Sequence, residues 1–327
     1  MIVDLVYGFL GSGKTTFIRG VLHHWGSREK IVVLVNEFGD VGIDGDLLAG
    51  QGGNVIEMPS GCICCSLKTD FRAQLLEISR EMRPDRIIIE PTGVATVSQL
   101  RSIVGAEIFE GTFEEVHNIL VVDGTGFMDL FKGNRSFVES QVENAHLILL
   151  NKCDRIAKMR SELIRAALVA IQPEVTVLTT EFGVVDWADY QAALRGRQWG
   201  MFTGLKLTDR VASDSPGAGG IGASGTRGDE AGLGYESYGK RLGDDTFERQ
   251  AIEGFFRRLV GAGSEMGDVV RAKGVFRTAQ AWVLIELSSG EVSSQTIRPC
   301  DQSKLSVIGR GLDREAIDAA VERCVAE

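Results

Sequence analysis

Apolar and polar positions along this chain follow two periods, and the switches between them outline an α/β protein. Short, nearly unbroken apolar runs read as buried strands: Ile2–Val6, Ile31–Val35, Arg86–Glu90, Asn118–Asp123, Ala145–Leu150 and Thr176–Leu178, with a short apolar piece over Asn54–Met58 between the second and third. Between them the period lengthens. Phe17, Ile18, Val21 and Leu22 recur at helical spacing, as do Phe71, Leu75, Ile78 and Met82, which predicts a helix over Phe71–Met82 ahead of Pro84. A further helix is predicted over Ser161–Ile171. Strands alternating with helices predict a doubly wound, mostly parallel sheet.

The pattern changes after Thr208. Residues 213–243 are rich in Gly and Ser with few large apolar side chains, so they are expected to form a flexible linker. Beyond it the periods return in a smaller α+β unit. A helix is predicted over Phe247–Val260, strands over Val269–Phe276, Ala281–Leu287 and Leu305–Ile308, and a last helix over Asp313–Val325 with Asp313 as its cap. The expected organisation is a first domain over 1–200 and a connection over 201–212, whose Gly204–Val211 reads as the second unit's first strand. The linker at 213–243 and a C-terminal domain at 244–327 follow.

Composition narrows the classes. The chain has 327 residues, 44% hydrophobic and 24% charged, as in a soluble globular protein. A formal net charge of −10 argues against a nucleic-acid or anionic-membrane partner. No apolar run approaches a membrane span, and the N-terminus enters a strand with no basic region before it, unlike a secretory signal. Three of the six cysteines crowd into Cys62–Cys65 and the others are scattered, which is no disulfide framework. A reducing, cytoplasmic compartment is the expectation.

The chemistry gathers at the ends of the strands. Gly8-Phe9-Leu10-Gly11-Ser12-Gly13-Lys14-Thr15 fits the phosphate-loop pattern, placed between a strand and a helix as that motif requires. Its glycines let backbone N–H groups of Gly11, Ser12, Gly13 and Thr16 turn toward a phosphate, and the helix N-terminus adds positive potential. Lys14 is expected to reach the β- and γ-phosphates, and Thr15 to ligate Mg²⁺. Asn151-Lys152-Cys153-Asp154 follows another strand. An Asp there accepts from guanine N1–H and N2–H₂ together, a donor pair that adenine lacks, while Asn151 can meet the base edge and the Lys152 stem its face. This makes GTP the expected nucleotide. Glu90, with Gly93 behind it, stands where a carboxylate orients the Mg²⁺ shell or the attacking water, and Asp40 and Asp44 are candidates for a loop that senses the nucleotide. Cys62-Ile63-Cys64-Cys65 offers soft thiolates suited to Zn²⁺, Co²⁺ or Cu⁺. Its spacing is denser than a zinc knuckle's and no second pair lies downstream, so an open, exchangeable site is expected, with Glu37 as a further candidate ligand.

Together these motifs resemble the CobW family of P-loop GTPases, which are related to the nickel-insertion GTPases of urease and hydrogenase maturation. The resemblance runs through the phosphate loop, Asn36-Glu37-Phe38-Gly39-Asp40, Gly61-Cys62-Ile63-Cys64-Cys65, Glu90-Pro91-Thr92-Gly93 and Asn151–Asp154, and it continues into Arg271–Gly274 and Ser306–Gly309. It implies a GTP-driven metallochaperone that loads Zn²⁺ or Co²⁺, held by Cys62, Cys64 and Cys65, onto a client metalloprotein. Two rivals remain at this point. One is a P-loop kinase acting on a small molecule. The other is a GTPase switch whose cysteines hold a structural metal.

Overall fold

The computed structural model describes residues 1–36, 43, 48, 54–58, 68–91, 103–195, 235–260 and 264–326. Its first body is a seven-stranded sheet in the order β3-β2-β4-β1-β5-β6-β7, parallel throughout. The strands are β1 (Ile2–Tyr7), β2 (Ile31–Asn36), β3 (Asn54–Met58), β4 (Arg86–Glu90), β5 (Glu115–Asp123), β6 (Leu147–Asn151) and β7 (Thr176–Thr179). The described helices that connect them are α1 (Lys14–Trp25), α2 (Lys68–Glu77), α3 (Phe127–Gly133), α4 (Arg135–Glu143), α5 (Lys158–Ile171) and α6 (Trp187–Leu194). Parallel strands need crossovers that cover both faces of a sheet, which explains why the apolar runs are continuous rather than alternating. On β2, Val32 and Leu34 enter one core layer while Ile31, Val33 and Val35 enter the other. On β6, Ile148 and Leu150 part from Leu147 and Leu149 in the same way.

One acidic residue interrupts β1. Asp4 is 1% exposed. Its Oδ2 accepts from Arg86 Nη1 at 2.6 Å, and its Oδ1 lies 2.8 Å from His117 Nδ1. Arg86 Nε also donates to Glu29 Oε2 at 2.8 Å, and His117 Nε2 lies 3.0 Å from Glu115 Oε2. This network clamps β4, β1 and β5 side by side, away from the strand ends that carry the phosphate loop.

The helix predicted over 71–82 begins earlier, at Lys68, and finishes as a π-helical turn over Ile78–Met82. Its apolar positions pack as read, with Phe71, Leu75 and Ile78 buried in one core layer. No helix among the described residues is long and apolar enough to cross a membrane.

The second body is a five-stranded antiparallel sheet in the order β11-β10-β9-β12-β8. It consists of β8 (Glu236–Gly243), β9 (Asp268–Arg277), β10 (Trp282–Ser288), β11 (Glu291–Ile297) and β12 (Ser303–Arg310). Helices α7 (Arg249–Arg258) and α8 (Arg314–Glu322) cover one face, and Asp313 caps α8 by accepting from Ala316 N at 2.9 Å. Two strands depart from the sequence reading. Residues 236–243, expected within the linker, are an edge strand paired with β12. An edge strand packed on one side needs few large side chains, and Tyr238 and Leu242 supply them. The other is β11, which the hydrophobic pattern passed over because most of its positions are solvent-exposed. Residues 213–234 and Gly204–Val211 lie outside the described residues.

Candidate functional site

The site is built where β1, β4, β5 and β6 all end. β1 hands the chain to the phosphate loop and then to α1, whose buried face (Phe17, Ile18, Val21 and Leu22) seats the helix on the sheet. Gly13 precedes the helix at φ 106°, and a Cβ there would stand 2.3 Å from Asn151 Nδ2, so only glycine fits. Lys14 is 4% exposed, and its ammonium lies along the loop, donating to the carbonyls of Gly8 at 3.1 Å and Phe9 at 3.3 Å. Thr15 Oγ1 donates to Glu90 Oε1 at 3.1 Å, with Oε2 at 3.3 Å, so the predicted hydroxyl and carboxylate meet. Ser12 Oγ is buried with no partner among the described residues, an orphan that a phosphate oxygen would satisfy.

Asn151 holds the two motifs together. Its Nδ2 donates to the Ser12 carbonyl at 2.9 Å, and its Oδ1 accepts from Thr180 Oγ1 at 3.0 Å and Gly183 N at 2.9 Å. The amide oxygen is therefore fully used, and the side chain braces the phosphate loop against the turn after β7. One amide N–H remains for the base-edge contact that the sequence leads one to expect. Lys152 adopts φ 60°, and its ammonium pairs with Asp123 Oδ2 at 2.7 Å, which draws its stem across the cleft. Asp154 stands at the exposed rim.

The sequence reading missed several residues. Asp123 ended a predicted strand but was given no role. Burial raises the pKa of its carboxyl, yet the attraction of Lys152 and hydrogen bonds from Lys152, Thr125 and Ser289 more than offset this and hold it below the usual range. Phe182 is 71% exposed at φ 54° and lines the cleft beside Lys152 and Asp154. A bulky residue in that backbone region is uncommon, and the neighbouring Gly183 N–H bond to Asn151 holds the turn. The available signal was an aromatic residue set before a glycine just past a strand. The hairpin tip joining β10 to β11 also reaches the site. Ser289 Oγ donates to Asp123 Oδ2 at 2.9 Å, Glu291 pairs with Arg155, and a Cβ on Gly11 (φ 72°) would come within 2.0 Å of Ser288 Oγ. Ser-Gly at a turn was legible, but where that turn docks was not.

The result is a cleft of about 300 Å³, floored by the phosphate loop, walled by Lys152, Asp154 and Phe182, and roofed by the second sheet. The expected metal residues Cys62, Cys64, Cys65 and Glu37 lie outside the described residues, as do Asp40, Asp44 and Gly93. Among the described residues no group of His, Cys, Asp and Glu is arranged to hold a metal ion.

The chain is similar to several characterised proteins. It is 39% identical over 152 residues to the zinc chaperone YeiR of Escherichia coli, which is 46% of each chain. It is 34% identical over 206 residues to the zinc chaperone CobW of Sinorhizobium sp, covering 54% of this chain and 55% of that one. It is 28% identical over 221 residues to the zinc-regulated GTPase metalloprotein activator 1 of Dictyostelium discoideum, covering 56% and 46%. The chain thus spans about half the length of the curated relatives it matches. Residues 243–325 match the cobalamin synthesis protein cobW C-terminal domain. Residues 2–179, which carry the phosphate loop and Asn151–Asp154, match the CobW/HypB/UreG nucleotide-binding domain, and the chain belongs to that family.

Proposed function

We propose that this protein hydrolyses GTP to GDP and phosphate and uses that cycle to bind a transition metal, zinc foremost, and deliver it to a client protein. The observation that carries the nucleotide half is the Asn151 brace. It joins the phosphate loop and the Asn-Lys-x-Asp turn into one cleft, with the Thr15–Glu90 pair at one end and Asp154 at the other. The metal half is supported by the names of the relatives and by the density of thiols at Cys62–Cys65, with cobalt as the alternative cargo.

In this reading the N–H groups of Gly11, Ser12, Gly13, Thr15 and Thr16 surround the β-phosphate, and Lys14 leaves the Gly8 and Phe9 carbonyls to bridge the β- and γ-phosphates. A hydroxyl beside a carboxylate is the hard-oxygen donor set that suits magnesium, so Thr15 and Glu90 would hold the Mg²⁺ that accompanies the nucleotide, which would neutralise charge on its phosphates. Glu90, at 4% exposure, is kept in place by Thr15 and orients the water that attacks the γ-phosphorus. Asp154 accepts from guanine while Lys152, tethered by Asp123, covers one face of the base and Phe182 lies against it.

Base choice is testable directly. Asp154→Asn replaces a double acceptor by a group that also donates. The affinity for GTP should fall about 10–100-fold, the usual worth of hydrogen bonds to a charged acceptor, while XTP should bind better than it does to the parent. An unchanged ratio of GTP to XTP affinity would remove Asp154 from the base pocket.

The metallochaperone reading is tested by linkage. If GTP completes the metal site and hydrolysis loosens it, Zn²⁺ should bind about 5–150-fold more tightly with a non-hydrolysable GTP analogue than with GDP, and metal should tighten the analogue by the same factor. Competition titration with a chromophoric chelator in the two nucleotide states measures this. Equal affinities would sink the delivery mechanism even if the thiols bind metal.

A further inference from the structure

The two faces of the second sheet have different partners. On β10, Val283, Ile285 and Leu287 are buried in the core beneath α7 and α8, whereas Leu284, Glu286 and Ser288 face the nucleotide cleft. Strand register extends that inner face into three rows. Arg271, Ser288 and Glu291 lie side by side in the first, Lys273, Glu286 and Ser293 in the second, and Val275, Leu284 and Gln295 in the third.

The first and last rows are anchored to the other body at known places. The first meets the phosphate loop, where Ser288 leaves no room for a side chain on Gly11. The third packs on Ile43, which is fully buried against Val275 and Leu284 and belongs to the stretch between β2 and β3. The middle row therefore lies between the phosphate-loop contact and the Ile43 contact. Across the sheet, Glu291 of β11 pairs with Arg155, next to the guanine-selecting Asp154. β9 lies two strands away from that end, and its Arg271 and Lys273 line the same cleft as Lys14 and Thr15. Lys273 is 4% exposed, and its ammonium is 3.4 Å from Glu286 Oε1 across the middle row.

From this placement we infer that Arg271 and Lys273 are phosphate-binding residues supplied by the second sheet, which meet the terminal phosphate of a bound nucleoside triphosphate and so report its presence to the C-terminal body. The inference rests on the reading of the cleft as a GTP site. The γ-phosphate carries roughly half the charge of the triphosphate, and charge-assisted bonds to it exist only before hydrolysis. A contact confined to the triphosphate state is what couples hydrolysis to the second sheet, since only differential contacts shift an equilibrium.

The test uses the full chain and fluorescent GDP and a fluorescent non-hydrolysable GTP analogue. Arg271→Ala and Lys273→Met should each weaken analogue binding about 10–100-fold and leave GDP within twofold, with Arg271→Lys retaining part of the loss. Glu286→Gln, which removes a negative charge beside Lys273 and from the cleft without emptying the row, should act oppositely and raise the analogue-over-GDP preference several-fold. That gain keeps the inference falsifiable if a charge-removing variant does not fold. Equal loss of both nucleotides, or no loss of either, in the first two variants would overturn it, as would an unchanged preference in Glu286→Gln. If the parent chain binds neither nucleotide, the GTP-site reading itself fails and takes the inference with it. If the parent binds both and the variants match it, only the inference fails.

Discussion

Lys14→Ala should lower the rate of GTP hydrolysis at saturating nucleotide by about 10²–10³-fold while the protein remains folded. The ammonium it removes is buried in the phosphate loop, where it donates to the carbonyls of Gly8 and Phe9. Bonds to neutral carbonyls are weaker than bonds to phosphate oxygens, so the ammonium is expected to transfer to the phosphates, where charge builds as the γ-phosphoryl group moves. Because that charge is greatest in the transition state, most of the loss should fall on kcat rather than on the affinity for GDP. The loop itself should persist, since Gly13, Asn151 and the Phe17 N–H bond to the Gly13 carbonyl hold it. Single-turnover hydrolysis with a thermal-unfolding control measures this. A variant with near-parental turnover would mean that phosphoryl transfer takes place elsewhere.

The second large effect is on stability. Asp4→Ala should destabilise the chain by about 3–5 kcal/mol, because it leaves Arg86 buried with only Glu29 to oppose it and strips His117 Nδ1 of its partner. Against a typical total of about 5–15 kcal/mol that is a large share. Arg86→Ala should cost a similar amount, and the double variant less than the sum, since the two residues form one interaction. The same network sets an acid limit. Burial raises the pKa of the Asp4 carboxyl, but Arg86 and His117 outweigh it and bring it below the ordinary value of 3.8. A depressed carboxylate contributes its full stability above the unfolded value, so this contribution is complete above about pH 4 and declines as pH falls through the lower folded value. Urea midpoints measured from pH 7 downward should therefore decline less steeply in Asp4→Ala at the acid end. A parental midpoint for Asp4→Ala at neutral pH would show the network to be incidental.

The fold was legible where burial and periodicity agree. β1, β2, β4 and β6 are hydrophobic because both faces of a parallel sheet are covered, and a continuous apolar run needs no knowledge of the neighbours to be read. The antiparallel body was read only where one face is buried. β10 shows its alternation of Val283, Ile285 and Leu287, whereas β11 and β8 lie at the sheet's edges and carry too few apolar positions to announce themselves. The segment over 236–243 looked like linker because its composition is that of its exposed side.

In the site, sequence determined which groups are present and, through local motif geometry, which of them stand together in two clusters. Gly13 beside Lys14, and Asn151 three residues before Asp154, are short-range facts, set by one strand, one turn and one helix N-terminus. What the tertiary structure alone decided is how those clusters address one another. The Asn151 amide turned out to brace the Ser12 carbonyl from 139 positions away, Asp123 to tether Lys152, and Ser289 to reach Asp123 from 166 positions away. The roof of the cleft, with Arg271 and Lys273, comes from a sheet whose face toward the nucleotide follows from which of its two faces α7 and α8 already cover. Contacts over such separations depend on strand order and on the docking of one sheet against another, and neither leaves a periodic trace in the residues that make them.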